Sequence, residues 1–303
     1  MKWQKRGLVY CPREGLWWAR RYAAFPTATM LGTDLVRVYF TSLDEQKFGR
    51  GAYVDLNAQN PLEVVSVAET PILDLGPIGD FDDAGVNPFT LASFGGRKLM
   101  YYQGWQRTLR APYGIFTGLA VDTGDGKFRK WARIPVLERT NDEPHIRGAP
   151  FVIVENDRLL MWYVSSGQWS ERGEHLHYHV SVRHAVSTDG VEWITHPNVC
   201  LSPGPGEYAV GRPVVLREAG LYRMWYSIRS FDRPYSIGYA ESPDGIQWVR
   251  MDGKAGISAS RTGWDSEMIC YAYVIRLGGQ LTMFYNGNRH GETGFGCAVV
   301  EKE

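Results

Sequence analysis

Arg21, Asp83, His145, Tyr208 and Glu267 stand 62, 62, 63 and 59 residues apart in this 303-residue chain. All five side chains can hydrogen-bond, and the two carboxyl groups can exchange a proton. A pair of carboxyl groups facing one concavity could do acid–base work, one giving a proton and the other acting as base or nucleophile. Two residues beyond each place come Ala23, Gly85, Arg147, Val210 and Ile269, and two beyond those come Phe25, Asn87, Ala149, Arg212 and Tyr271. Residues two apart on a strand share a face. On five equivalent strands the three sets would line one concavity. Arg21, Arg147 and Arg212 would supply guanidinium forks that match carboxylate or phosphate oxygens. Burying so many ionisable groups unpaired would cost on the order of several kcal/mol, so the pattern points to a solvated, ligand-binding funnel. The plainer alternative is a water-filled funnel with internal pairs such as Arg21 with Asp83 or Arg147 with Glu267.

The elements that must position these groups are strands. Helical periodicity is nearly absent, while a paired-strand unit recurs. Pro26 opens PTATMLGTDLVRVYFTS, Pro88 PFTLASFGGRKLMYYQG, Pro150 PFVIVENDRLLMWYVSS and Pro213 PVVLREAGLYRMWYSIR; Ala272 opens AYVIRLGGQLTMFYNGN. A third, Gly- or Ala-containing strand follows each pair. Two of these lead into matching turns, Ser187-Thr-Asp-Gly-Val-Glu-Trp193 and Ser242-Pro-Asp-Gly-Ile-Gln-Trp248. Asp-Gly tolerates the backbone a tight turn needs, so Trp193 and Trp248 read as packing residues. Five four-stranded antiparallel units predict an all-β fold, a five-bladed β-propeller in a single domain spanning 1–303. The fifth unit ends after its third strand. The run from Arg6 to Cys11 precedes the first unit without a partner, and is expected to complete the last blade and close the ring.

The second strands end in Gln103-Gly-Trp105, Ser165-Ser-Gly, Ser227-Ile-Arg229 and Asn286-Gly-Asn288, which also reach the funnel face. Trp105 and Trp169 are candidate stacking platforms for a sugar ring. The stretch 168–178, QWSERGEHLHY, reads as a polar loop over the funnel; its His175 and His177 lack the further ligands a zinc site requires.

Composition narrows the partners. Lys and Arg balance Asp and Glu at 33 each, so no net field favours nucleic acid or an anionic membrane. No apolar run is long enough to span a bilayer and no signal segment stands out. Cys11, Cys200, Cys270 and Cys297 show no CxxC or metal spacing and read as free thiols. The expectation is a cytoplasmic protein with no cofactor and no metal, taking a small-molecule ligand.

The paired-strand repeat, the two Ser-x-Asp-Gly-x-x-Trp turns and the segment GWDSEMICYAYVIRLGGQLTMFYNG (263–287) resemble the five-bladed propeller glycosidases. These include the arabinanase- and xylosidase-type family 43, the invertase-type family 32 and the β-mannoside phosphorylase family 130. The resemblance spans nearly the whole chain as a fold pattern. It implies carboxylates on the innermost strands at the funnel mouth, and by position these are Asp83 and Glu267. They fall on units two and five, a separation suited to the roughly 6.5–9.5 Å gap of inverting enzymes. Asp82, Glu143, Glu207 and Asp265 lie within one or two residues of the five strand positions and are the reserves. Asn87, His145, Tyr208 and Tyr271 would orient the sugar.

Departures from those families are specific. Arg21 stands where families 43 and 32 carry a first-blade Asp. Val-Asn-Pro88, Gly-Ala-Pro150 and Gly-Arg-Pro213 stand where invertase-type enzymes carry Arg-Asp-Pro and Glu-Cys-Pro. Three readings remain: a glycoside hydrolase-like enzyme, a phosphorylase or glycosyltransferase using the arginines for phosphate or a sugar nucleotide, and a catalytically inactive sugar binder.

Overall fold

The computed structural model describes residues 1–12 and 15–301. After an N-terminal strand β1 (Trp3–Tyr10), strands β2 (Arg21–Leu31), β3 (Leu35–Leu43), β4 (Gly49–Asn57) and β5 (Val64–Val67) pair in succession, all antiparallel. The same order repeats in β6 (Gly85–Phe94), β7 (Arg97–Arg107), β8 (Tyr113–Asp122) and β9 (Phe128–Lys130). It repeats again in β10 (Ile146–Glu155), β11 (Arg158–Arg172), β12 (His175–Ser187) and β13 (Ile194–Leu201). The fourth section holds β14 (Glu207–Glu218), β15 (Leu221–Ser230), β16 (Ser236–Ser242) and β17 (Val249–Arg250). In the fifth, β18 (Cys270–Leu277), β19 (Gln280–Asn286) and β20 (Phe295–Val300) are completed by β1, which pairs antiparallel with β20 from Trp3–Val300 to Tyr10–Phe295.

Short parallel contacts, Gly49 with Gly85, Ile115 with Ile146 and Val180 with Ala209, join the first four sections into a continuous 16-stranded sheet. The fifth section is a separate four-stranded sheet. Its first-section neighbour is reached through side chains instead. Val9, Phe284, Phe295 and Cys297 share one apolar cluster with Ala28, Val36, Val38 and Phe40. Comparable clusters lie between each consecutive pair of sections, for example Trp225 and Tyr239 with Ile269 and Met283.

Local chemistry explains the regularity. At both Asp-Gly turns the aspartate accepts two backbone N–H groups, Val191 and Glu192 for Asp189, Ile246 and Gln247 for Asp244. Ser187 and Ser242 accept the N–H of Gly190 and Gly245, whose φ of 83° and 77° glycine adopts without steric cost. Trp193 and Trp248 pack into the adjoining cores. All four cysteines are free, and burial pushes the Cys200 and Cys297 thiols up to about 12. No helix among the described residues is long and apolar enough to cross a membrane.

Candidate functional site

The first strand of every section is bulged at the same place. Pairing slips between Ala24 and Thr27, Pro88 and Thr90, Gly148 and Phe151, Gly211 and Val214, and Cys270 and Tyr273. In four of the five, the residue just before the Pro or Ala anchor has a left-handed backbone: Phe25 (φ 60°), Ala149 (47°), Arg212 (55°) and Tyr271 (55°). For a bulky side chain this conformation costs on the order of 1–3 kcal/mol. The surroundings hold it. Asn286 accepts the N–H of Phe25 at 2.8 Å, Gln103 that of Ala149 at 3.1 Å and Ser227 that of Tyr271 at 2.8 Å. Each acceptor sits on the second strand of the preceding section.

The bulge corrects the expected alternation. One extra residue inverts which side chains face which side. The five residues at the bulge, Phe25, Asn87, Ala149, Arg212 and Tyr271, all line one pocket that every section helps to wall. On the N-terminal side of the bulge the facing set becomes Tyr22, Ala24, Ile146 and Gly211, not the residues in step with Arg21 and Arg147. The cavity measures about 340 Å³, within the range of small-ligand sites. Its wall is largely aromatic and aliphatic, with Asn87, Gln103, Arg212, Arg229 and His290 as its polar members besides tyrosines and Thr41.

Four of the ten residues singled out in the sequence are therefore brought together here: Asn87, Trp105, Arg212 and Tyr271. The other six are not on the pocket wall. Arg21, His145 and Glu267 are solvent-exposed at or just before the starts of the inner strands. Asp83 lies two residues before β6, where its carboxylate accepts the Gly79 N–H at 2.8 Å. Tyr208 packs beside the pocket, its ring centre 4.8 Å from His177 and 5.3 Å from Phe231. Arg147 is buried; its guanidinium pairs with Glu143 at 2.5 Å, not with Glu267, and donates to the Glu138 carbonyl and the Tyr163 hydroxyl.

Arg212 is 2% exposed, and its guanidinium spans from the fourth section to the first two. It donates to the carbonyls of Phe89 (3.3 Å) and Pro26 (2.8 Å) and to Thr27 Oγ1 (2.7 Å). Desolvation pulls its pKa down to about 9. This arginine is occupied by backbone.

The reserve carboxylates form a second pattern. Asp82 accepts from the Tyr102 hydroxyl and pairs with Lys130; Glu143 accepts from Tyr163 and pairs with Arg147 and Arg183; Asp265 accepts from Tyr285 and pairs with Lys5. Glu207 instead pairs with Arg250, which also holds Asp252 under Tyr226. All three phenols are pushed up, first by burial and also by their carboxylate, except that at Tyr163 the Arg147 bond opposes the shift. Each of these groups ties strands within one section, and none lines the pocket.

The stretch 168–178 is not a loop. β11 and β12 stay paired from Gln168–His179 to Arg172–His175, turning at Gly173. Within this hairpin the Trp169 ring centre lies 5.2 Å from that of Tyr178 and 6.1 Å from that of Tyr113, both of which line the pocket. Trp105 reaches the wall because Gly85 lies beneath it; a Cβ at Gly85 would fall 1.9 Å from the indole nitrogen. No cluster of three or more metal-ligating side chains occurs among the described residues. Sequence reasoning missed Tyr22, Tyr113, Tyr178 and His290. For His290 and Tyr22 the signal was absent, since both depend on left-handed backbone (φ 62° and 68°) that the strand pattern does not announce.

Solved glycoside hydrolases share this fold. A solved BT0996–RGII complex superposes with a TM-score of 0.76 at 20% identity, covering 99% of this protein and 91% of that one. A thermostable family-43 glycoside hydrolase gives 0.66 at 16% identity, over 96% of this chain and 91% of the other. A structure from the GH130 family of mannoside phosphorylases gives 0.70 at 14%, over 99% and 93%. No family model matches the chain. At the level of sequence the chain belongs to the family of "Uncharacterized protein Rv1502" from Mycobacterium tuberculosis (strain ATCC 25618 / H37Rv), with 34% identity over 302 residues, 99% of this chain and 100% of that one.

Proposed function

We propose that the chain is a single-domain, five-bladed propeller that takes a sugar into its axial pocket and acts on a glycosidic bond. The observation that carries this reading is the pocket itself. All five sections wall it, four of them with aromatic rings suited to stacking on a sugar and the fourth with Arg212 and Arg229, and amides from Asn87 and Gln103 can fix its hydroxyls. The strained backbone at Phe25, Arg212 and Tyr271 supports the same site, because such strain gathers where ligands bind. Closure of the ring is supported by the Asn286–Phe25 bond and by the apolar cluster shared between the last section and the first.

Asp83 and Glu267 are the proposed acid–base pair, standing at the starts of inner strands at the pocket's end of the fold. The sugar would sit among the rings and present its bond toward these carboxylates. The test is turnover of Asp83→Asn and Glu267→Gln on an oligosaccharide panel, with and without inorganic phosphate. Loss of product in either variant fits the assignment; wild-type turnover in both ends it. Product only with phosphate identifies phosphorolysis. The proposed setting is a soluble, cytoplasmic one.

A second reading is sugar binding without cleavage. It is favoured by one feature: among the described residues no carboxylate lines the pocket. The places before the prolines, where invertase-type motifs carry Asp or Cys, hold Asn87, Ala149 and Arg212. Tight binding of an intact oligosaccharide with no product after long incubation would select it.

A further inference from the structure

Two guanidinium groups reach the axial pocket, and among the described residues neither is paired with a carboxylate. Arg212 commits both Nη1 and Nη2 to carbonyls and Thr27, leaving only its Nε without a partner. Arg229, at the end of β15, is less committed. Its Nη1 donates to the Tyr178 hydroxyl, and its Nε has no hydrogen-bond partner. The guanidinium lies 4.9 Å from the Tyr178 ring centre and 5.3 Å from that of Tyr235. Its Nη2 points toward Gly211 on the pocket wall, where a Cβ would stand 3.6 Å away. Aromatic faces stabilise a cation, but only in part replace a counter-ion.

The surrounding phenols do not supply that charge. Burial pushes the hydroxyls of Tyr113, Tyr235 and Tyr271 well above their ordinary range, so at neutral pH they are neutral. His290 is solvent-exposed at the pocket, its ring centre 4.6 Å from that of Tyr235, and its pKa is pulled down by desolvation first and by Arg229 second. The pocket thus holds fixed positive charge, neutral hydroxyl and imidazole donors, and no described anion.

We propose that Arg229 is the anion-binding residue of the axial pocket, and that the pocket's ligand is a sugar carrying a carboxylate or a phosphate ester. The proposal rests on the reading of this pocket as a sugar site. Arg229 offers a planar fork to two oxygens of such a group. The Tyr178 hydroxyl, already bonded to Arg229, and His290 line the same pocket and can add hydrogen bonds. The rings of Phe25 and Tyr271, 4.3 Å apart, and of Trp105 are left for the sugar body.

The test is calorimetric titration of the full chain with matched sets: glucose, galactose and mannose, their uronic acids, their 1-phosphates, and inorganic phosphate alone. At least one charged sugar is expected to bind tenfold or more tightly than its neutral parent, and the member that does so separates carboxylate from phosphate. Arg229→Gln is expected to remove that advantage and leave the weak neutral affinity in place. If that variant folds poorly by circular dichroism, the wild-type ratio still decides. Equal affinity for neutral and charged sugars overturns the anion site while the sugar reading stands. Binding of inorganic phosphate that Arg229→Gln abolishes, with no sugar bound, sinks the sugar reading and keeps the anion site. No binding of any probe overturns both.

Discussion

Asn286, at the end of β19, ties the last section of the chain to the first through Phe25. Its Oδ1 accepts the Phe25 N–H at 2.8 Å, and its Nδ2 donates to the carbonyls of Ala23 and Gly294 at 2.8 and 2.9 Å. The side chain is fully buried. Asn286→Ala would leave a buried N–H and two carbonyls without partners. Each such loss costs about 1–3 kcal/mol, so a drop of at least about 3 kcal/mol in unfolding free energy is expected. Urea denaturation measures it; an unchanged midpoint would mean that this bond does not hold the ends together.

Glu143→Gln separates structure from chemistry. Glu143 is 4% exposed and meets Arg147, Arg183 and Tyr163. Neutralising it leaves Arg147 buried without its charge partner, a loss of about 3–5 kcal/mol, while Tyr163→Phe removes one hydrogen bond and about 1 kcal/mol. Both variants should keep ligand affinity once folded at low temperature. A catalytic Glu143 would show the reverse: intact stability and lost turnover.

The repeat was legible because strand alternation and Asp-Gly turns are local chemistry that recurs within one chain. The carboxylate–tyrosine locks went unread, the acids being taken as reserve catalytic groups, although they too recur at a fixed spacing of 20: Asp82 to Tyr102, Glu143 to Tyr163, Asp265 to Tyr285. In the first unit the same places hold Arg20 and Phe40, so acid and hydroxyl are missing together. What alternation could not show was the bulge. Ala149 and Tyr271 look like ordinary strand residues, and their left-handed backbone depends on acceptors in a neighbouring section. A counting rule applied through that bulge put Arg147 on the funnel face, and packing put it against Tyr163.

Gly85→Ala should disturb the pocket without touching a polar group. The added methyl meets the Trp105 indole at 1.9 Å, far inside van der Waals contact, so the ring must leave its seat. The inner strand keeps its pairing with β7, so the loss is expected mainly in binding. A shift in tryptophan emission with a fall of tenfold or more in sugar affinity would mark Trp105 as part of the platform. A shifted ring with unchanged affinity would remove it.

Acid sensitivity should come from His184. Its ring, 5% exposed, packs edge-on to Trp162 at 5.2 Å between centres. Desolvation, then the neighbouring His196 and Arg158, pulls its pKa down to about 4, against the opposing pull of Asp244. In the unfolded chain the same imidazole titrates at about 6.5. Between these values the unfolded state binds a proton that the folded state refuses. Stability is therefore full above pH 6.5 and falls as pH drops toward 4, by up to about 3 kcal/mol over the window. The turn aspartates Asp189 and Asp244, held below the usual carboxylate range by backbone N–H groups, lose their contribution only at lower pH. His184→Phe should lessen the slope of melting temperature between pH 6.5 and 4.5, the remainder coming from His290, whose pKa is also pulled down to about 4, and leave the steeper fall below about pH 4 in place. An identical slope in variant and wild type would assign the acid response to other groups.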